Sequence, residues 1–111
     1  MKTILSPLAI RLFSVLTTYP ISKLDLQEAL ADYEGKVAVI PSERDIRRAV
    51  QELRRHGFNI ASSSDQKGYW IGDETARQRT IKEYRARANT LLKVADALEK
   101  GPDIGQMEME I

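Results

Sequence analysis

The sequence predicts a mainly α protein with one β-hairpin: three short helices, the hairpin, and a long helix after it. Three observations predict it. Apolar residues recur at helical spacing in four stretches, each bounded by proline or glycine. Between residues 58 and 71, Phe58, Ile60, Tyr69 and Ile71 alternate with polar residues around a polar centre, the pattern of two paired strands. Beyond it, Ile81, Tyr84, Ala88, Leu91, Ala95 and Leu98 recur in alternating steps of three and four, in a region free of proline and glycine.

The first helix is expected over residues 7–18. Ser6 caps it, Pro7 suits its first turn, and Leu8, Leu12, Val15 and Leu16 form its apolar stripe, widened by Phe13. Tyr19-Pro20 ends it, because proline pushes the residue before it out of the helical region. The second helix is expected to start from a Ser22 cap with Asp25 three residues on. Ile21 and Leu26 are spaced as a hydrophobic staple, Leu26, Ala29, Leu30 and Tyr33 continue the buried side, and Gly35 is the stop. Residues 36–40 read as a short extended piece, since Val37, Val39 and Ile40 favour strand and Pro41 forbids helix through this point.

The third helix has the clearest start. Ser42 offers a cap, with Asp45 in the position of a capping-box acid. Ile46, Ala49, Val50 and Leu53 make its core stripe, Gly57 stops it, and Phe58 is the apolar contact that follows such a stop. Residues 58–63 and 69–71 then read as strands, and residues 64–68 as their polar connection. The last helix is expected from a cap at Asp73 to Lys100, with Gly101-Pro102 as its stop. Leu92 and Val94 broaden its seam. The organisation expected is a unit over residues 1–72, a long helix over 73–100 that serves as a dimerisation element, and a flexible acidic tail over 101–111.

Composition narrows the function classes. With 111 residues, 42% hydrophobic and 30% charged, the chain is an ordinary globular one with a modest core. It has no cysteine, which excludes disulfides and thiolate metal sites, and a single histidine, His56, which leaves no basis for a histidine triad or a multi-histidine metal centre. His56 stands in the last turn of the third helix, where a cation suits the helix dipole. Asp25, Glu28, Asp45 and Glu52 read as caps or surface partners, and no base, nucleophile or phosphate loop converges. No enzyme activity, cofactor or metal is expected. The apolar start is interrupted by Arg11 and lacks a small-residue cleavage site, and no run is long enough to span a bilayer, so the expected location is the cytoplasm, at the nucleoid.

Charge is segregated although the net value is only +1. Residues 44–55 hold five arginines against Asp45 and Glu52. Residues 77–93 hold six basic residues against Glu83, and after Lys93 the sign reverses, with Asp96, Glu99, Asp103, Glu108 and Glu110 facing only Lys100. At ~100° per residue, Ile46, Val50 and Leu53 cluster on one side of the third helix. Arg44, Arg48, Gln51 and Arg55 fall opposite, with Arg47 and Arg54 at the edge. Arginine forks onto guanine or phosphate and glutamine reads adenine, which is the chemistry of a helix laid in a major groove. Ser42 stands beside that face, and the hairpin tip, with Ser64, Gln66 and Lys67, supplies hydroxyls, an amide and a cation suited to phosphate.

The run from Arg44 to Gly72, RDIRRAVQELRRHGFNIASSSDQKGYWIG, resembles the winged helix-turn-helix module of the biotin-operon-repressor type. In that group the recognition helix ends in LR-x-x-G and a GY-x-I strand closes the wing. The matching pieces are Leu53-Arg54-Arg55-His56-Gly57 and Gly68-Tyr69-Trp70-Ile71. The resemblance spans about residues 8–72 and extends more loosely to small phage-type winged-helix proteins with a long basic C-terminal helix. Two departures stand out: the connection between second and third helices is longer than the usual tight turn, and no ligand or enzyme domain is expected to follow. What the resemblance implies is a winged helix-turn-helix followed by a long helix. It also implies DNA binding, and with the polar front of the third helix the expectation is sequence-specific binding of double-stranded DNA, as in a transcriptional regulator. The seam of Ile81, Tyr84, Ala88, Leu91, Ala95 and Leu98 reads either as core packed back on the winged helix or as the joint of a homodimer, and the homodimer is the reading taken. Two other readings remain open. One is a phage or replication accessory factor that binds DNA and recruits a replication or transcription protein through its last helix or its tail, whose Gly105-Gln106-Met107-Glu108-Met109-Glu110-Ile111 faintly resembles clamp-binding peptides. The other is a winged-helix adaptor that binds protein without DNA.

Overall fold

Ser6 starts the first helix, α1 (Pro7–Val15), in the computed structural model, and its Oγ accepts from the Ala9 amide at 3.2 Å. The structure describes residues 4–34, 37–63 and 68–102, with the backbone alone at 33, 34, 37 and 38. Although the spacing predicts α1 to residue 18, it ends at Val15. Leu16 is extended, and the Thr17 carbonyl accepts from the Ile71 amide at 2.7 Å. The backbone after Val15 is thus drawn to the sheet, a partner that helical periodicity does not register.

That sheet holds a strand the sequence reading lacks, β1 (Ile21–Ser22). Ser22 is at once the end of β1 and the cap of α2 (Lys23–Ala29), its Oγ accepting from the Asp25 amide at 3.1 Å. Helix α2 stops well before Gly35. Leu30 is its C-cap, and residues 32–34 form β2 (Asp32–Glu34), antiparallel to β3 (Val37–Val39). The expected helical place of Tyr33 is therefore corrected to a strand, and Ala29 is exposed rather than buried. The physical reason is propensity: Asp32 is a poor helix former, while Tyr33, Val37 and Val39 favour strand, and pairing offers them a hydrogen-bonded alternative to another helical turn. Gly35 itself lies outside the described residues.

Helix α3 (Glu43–Arg55) begins with both halves of the expected capping box. Asp45 N donates to Ser42 Oγ at 3.1 Å, and Ser42 N donates to Asp45 Oδ2 at 3.2 Å. It ends as predicted. Gly57 has φ +88°, the Gly57 amide donates to the Arg54 carbonyl at 3.0 Å, and the Phe58 amide reaches back to the Leu53 carbonyl at 3.0 Å. This pair of bonds satisfies the last carbonyls of the helix, and the left-handed residue they require is a glycine. Phe58 then packs on the core and meets the Phe13 ring edge-on at 4.8 Å.

The wing is β4 (Ile60–Ser63) paired antiparallel with β5 (Gly68–Ile71), and β1 adds to the far edge of β5 in the order β1-β5-β4. Ile60 faces Ile71 and Ser62 faces Tyr69 across the hairpin. Ile60 and Tyr69 join Leu12, Leu26, Leu30, Ile46, Val50 and Leu53 in one core beneath the three helices. Each leucine fully buried there contributes roughly 1.5–3 kcal/mol of transfer free energy. The opposite sheet face is also covered in part, since Gly72 lies against the buried Ala61 and Ala76.

Long-range polar bonds pin the elements. Arg11 donates to the Leu30 carbonyl at the end of α2 and lies 3.9 Å from Asp32. Gln27 Nε2 donates to the Pro41 carbonyl at 3.0 Å, and Asn59 Nδ2 donates to the carbonyls of Gly72 and Asp73 at 2.8 and 2.9 Å. Asp73 then caps α4 (Glu74–Lys100) by accepting from the Ala76 amide at 2.8 Å. The chain forms two compact units, Met1–Arg77 and Gln78–Ile111, so the division falls inside α4.

The fold is therefore mainly α, with four helices among the described residues, a three-stranded antiparallel sheet that includes a hairpin, and a long C-terminal helix. The order α1-β1-α2-α3-β4-β5 is compatible with a winged helix, with the β2–β3 ribbon as the extra length between α2 and α3. Among the described residues no helix is long and apolar enough to cross a membrane.

Candidate nucleic-acid interface

Helix α3 carries its polar front because its back is fixed. Ile46, Ala49, Val50 and Leu53 are all buried, at 3% exposure or less. Taking Arg44 as zero on a helix of ~100° per residue, Arg55 falls near 20°, Arg48 near 40°, Gln51 near −20° and Arg47 near −60°. The core residues centre near 190°. All five front residues are exposed, as is Ser42 at the start of the helix. From Arg44 to Arg55 the front runs about 16 Å along the axis at ~1.5 Å per residue. None of the five side chains makes a hydrogen bond or ion pair with another described residue.

Two of the three acids of α3 are bound elsewhere. Asp45 is held by Ser42, first by its hydroxyl and then by its amide, and these bonds, with Arg48 and Arg44 nearby, keep its carboxyl below the usual range. Glu52 turns away from the front, where its Oε2 accepts from the Ser6 amide at 2.6 Å at the start of α1. That amide bond, then the Ser6 hydroxyl, and more weakly His56 and Arg55, lower the Glu52 carboxyl as well. Two acids that would neutralise the arginine front are occupied in capping the helices.

Glu52 also links α3 to α1 in a pH-dependent way. A carboxyl whose folded value is depressed contributes stability above the usual carboxylate range, and that contribution fades as pH falls through the folded value. Glu52→Gln is expected to flatten the acid limb of the melting temperature plotted against pH, from neutral down to about pH 2. A variant that loses stability in acid as steeply as the parent would show that this carboxylate does not carry the dependence.

Arg54 has a different place from the other arginines of α3. It is half-buried, with Nε donating to the Ile60 carbonyl at 2.9 Å and a terminal nitrogen to Ser62 Oγ at 3.2 Å. It sets β4 against the end of α3 and so fixes how the wing stands beside the arginine front. Its angular position, ~40° from Val50, was the available signal, because a long side chain at the edge of the core stripe tends to reach across it. His56 is the C-cap of α3, and its Nδ1 lies 2.9 Å from the Glu52 carbonyl oxygen.

Of the wing residues assigned to DNA, Ser64, Gln66 and Lys67 lie outside the described residues, as does the tail from 103 onward. In the second unit, Tyr84, Ala88, Leu91, Ala95 and Leu98 are exposed and Ile81 is half-buried. Leu92 and Val94 flank them, also exposed, and Arg87 lies over the Tyr84 ring at 5.3 Å. Among the described residues no three of histidine, cysteine, aspartate or glutamate come together as a metal site would require. What the front of α3 offers is the guanidinium donors of four arginines and, in Gln51, one amide that can both donate and accept.

Comparison of the chain with protein-family models, with curated proteins and with solved structures finds no match.

Proposed function

We propose that the protein binds double-stranded DNA sequence-specifically, as a transcriptional regulator does, with α3 in the major groove and the wing on the backbone. A module of the biotin-operon-repressor type is the reading of its first unit. One observation carries the proposal: Arg44, Arg47, Arg48, Gln51 and Arg55 stand exposed and unpaired among the described residues, on one side of a helix whose other side is core. A major groove about 12 Å wide admits such a helix, and the forked donors match guanine O6 and N7 or phosphate oxygens. Ser42 at the helix start and Ser64, Gln66 and Lys67 on the wing then serve the backbone.

The test is a mobility-shift titration at two salt concentrations on a DNA site selected from a random library. Arg48→Ala is expected to narrow the ratio of selected to random affinity by about 5- to 150-fold, the ~1–3 kcal/mol of one bidentate base contact. Lys67→Ala is expected to weaken both DNAs alike and to reduce the salt slope by about 1. Unchanged discrimination in the Arg48 variant counts against base reading by α3. No binding to any duplex at low salt would favour the protein-binding adaptor. Of the two other readings, recruitment of a replication protein draws on the faint motif of the tail and the exposed apolar residues of α4.

A further inference from the structure

We infer that α4 joins two copies of this chain as an antiparallel coiled coil, a pairing that rests on the homodimer reading and adds its orientation. The seam residues of α4 alternate in a way that decides the direction. In a parallel pair each residue meets its own copy, so Ala88 faces Ala88, Ala95 faces Ala95 and Tyr84 faces Tyr84. Two layers are then left hollow and one is overfilled. Turned antiparallel about a point between Asn89 and Thr90, the same residues form three kinds of mixed layer: Ile81 with Leu98, Tyr84 with Ala95, and Ala88 with Leu91. Each alanine then meets a large side chain, and the two positions of the heptad alternate across the interface.

Charge points the same way. In the N-terminal part of α4, Arg77, Arg79, Lys82, Arg85 and Arg87 outnumber Glu74 and Glu83, whereas at its end Lys93 and Lys100 balance Asp96 and Glu99. A parallel pair stacks these like on like. The antiparallel pair sets each basic part against the charge-balanced end of the other copy, with Glu99 level with Thr80 between Arg79 and Lys82, and so removes the repulsion of basic part on basic part. Exposure supplies the need for a cover: Leu91 is 65% exposed, Leu98 78%, Leu92 61% and Val94 53%. A stripe of this size on one helix marks an interaction surface.

The chain contains no cysteine, so single introduced thiols report orientation without background. In the antiparallel pair, residue 95 is about 16 Å along the axis from its own copy, beyond the ~7 Å Cα separation that a disulfide spans. Residues 81 and 98 of opposite chains are level. The expected results are a dimer mass for the unaltered full chain in sedimentation equilibrium and no disulfide dimer from Ala95→Cys under mild oxidation. A mixture of Ile81→Cys and Leu98→Cys chains, refolded together, is expected to yield the mixed disulfide. A monomer or higher oligomer, a ready Ala95→Cys disulfide, or failure of the mixture to cross-link while the unaltered chain is dimeric would each overturn the inference. DNA takes no part in the experiment, so these outcomes leave the reading of α3 standing, and failure of DNA binding leaves the coiled coil standing.

Discussion

Replacing Arg44, Arg48 and Arg55 together by alanine is expected to lower affinity for the selected DNA site on the order of 10²-fold or more, while the protein stays folded. The estimate takes about 1–3 kcal/mol for each forked contact, to base or phosphate, and about 1.4 kcal/mol for each factor of ten. The salt dependence should flatten with it, by nearly one unit of slope for each of the three that meets a phosphate. Folding is expected to survive because the three side chains are exposed and bond no other described residue. Surface positions of that kind change stability by roughly 0.5 kcal/mol or less. The acids near them keep their capping bonds to Ser42 and Ser6 in the variant. Titration of selected DNA, paired with a thermal melt of the same sample, separates the two effects. Undiminished affinity in a folded triple variant would remove α3 from the groove.

Gly68→Ala should be the most damaging single change of one methyl group in the first unit. A Cβ at this position would meet the carbonyl group of Ile21 in β1, with Ser22 N 3.5 Å away. Both neighbours are backbone, so neither can swing aside, and relief requires β1 to leave β5. Losing that edge exposes Ile21 and disturbs the start of α2, which Ser22 caps. Overpacking against fixed atoms costs roughly 1–3 kcal/mol, which in a unit of this size is a drop of about 5–20 °C in melting temperature. A Gly68→Ala protein that melts with the parent would mean that β1 does not lie across this glycine.

The glycine illustrates where sequence reasoning reaches its limit. In the sequence, Gly68 closes a polar run and reads as part of a turn, which is the ordinary meaning of such a residue. Its actual reason is a strand 46 residues earlier that passes too close for any side chain. That strand has only two residues, and a period of two cannot be seen in two residues. The early end of α1 has the same origin, because the Thr17 carbonyl bonds Ile71 instead of continuing a helix. The β2–β3 ribbon was missed for another reason. Leu26 and Leu30 carry a helical period up to the point where the chain changes structure, and periodicity extrapolates past it.

By itself the sequence determined the two-sided character of α3, its capping box, its glycine stop, the hairpin beyond it and the bounds of α4. Each is set by residues within about a dozen positions of one another, so the forces that make them are written locally. Only the tertiary structure decided that β1 edges the wing, that Arg54 clamps β4 while its neighbours stay free, and that Glu52 is drawn off to the Ser6 amide. Those outcomes depend on which unsatisfied backbone group or charge lies across the core, and distance along the chain carries no record of that.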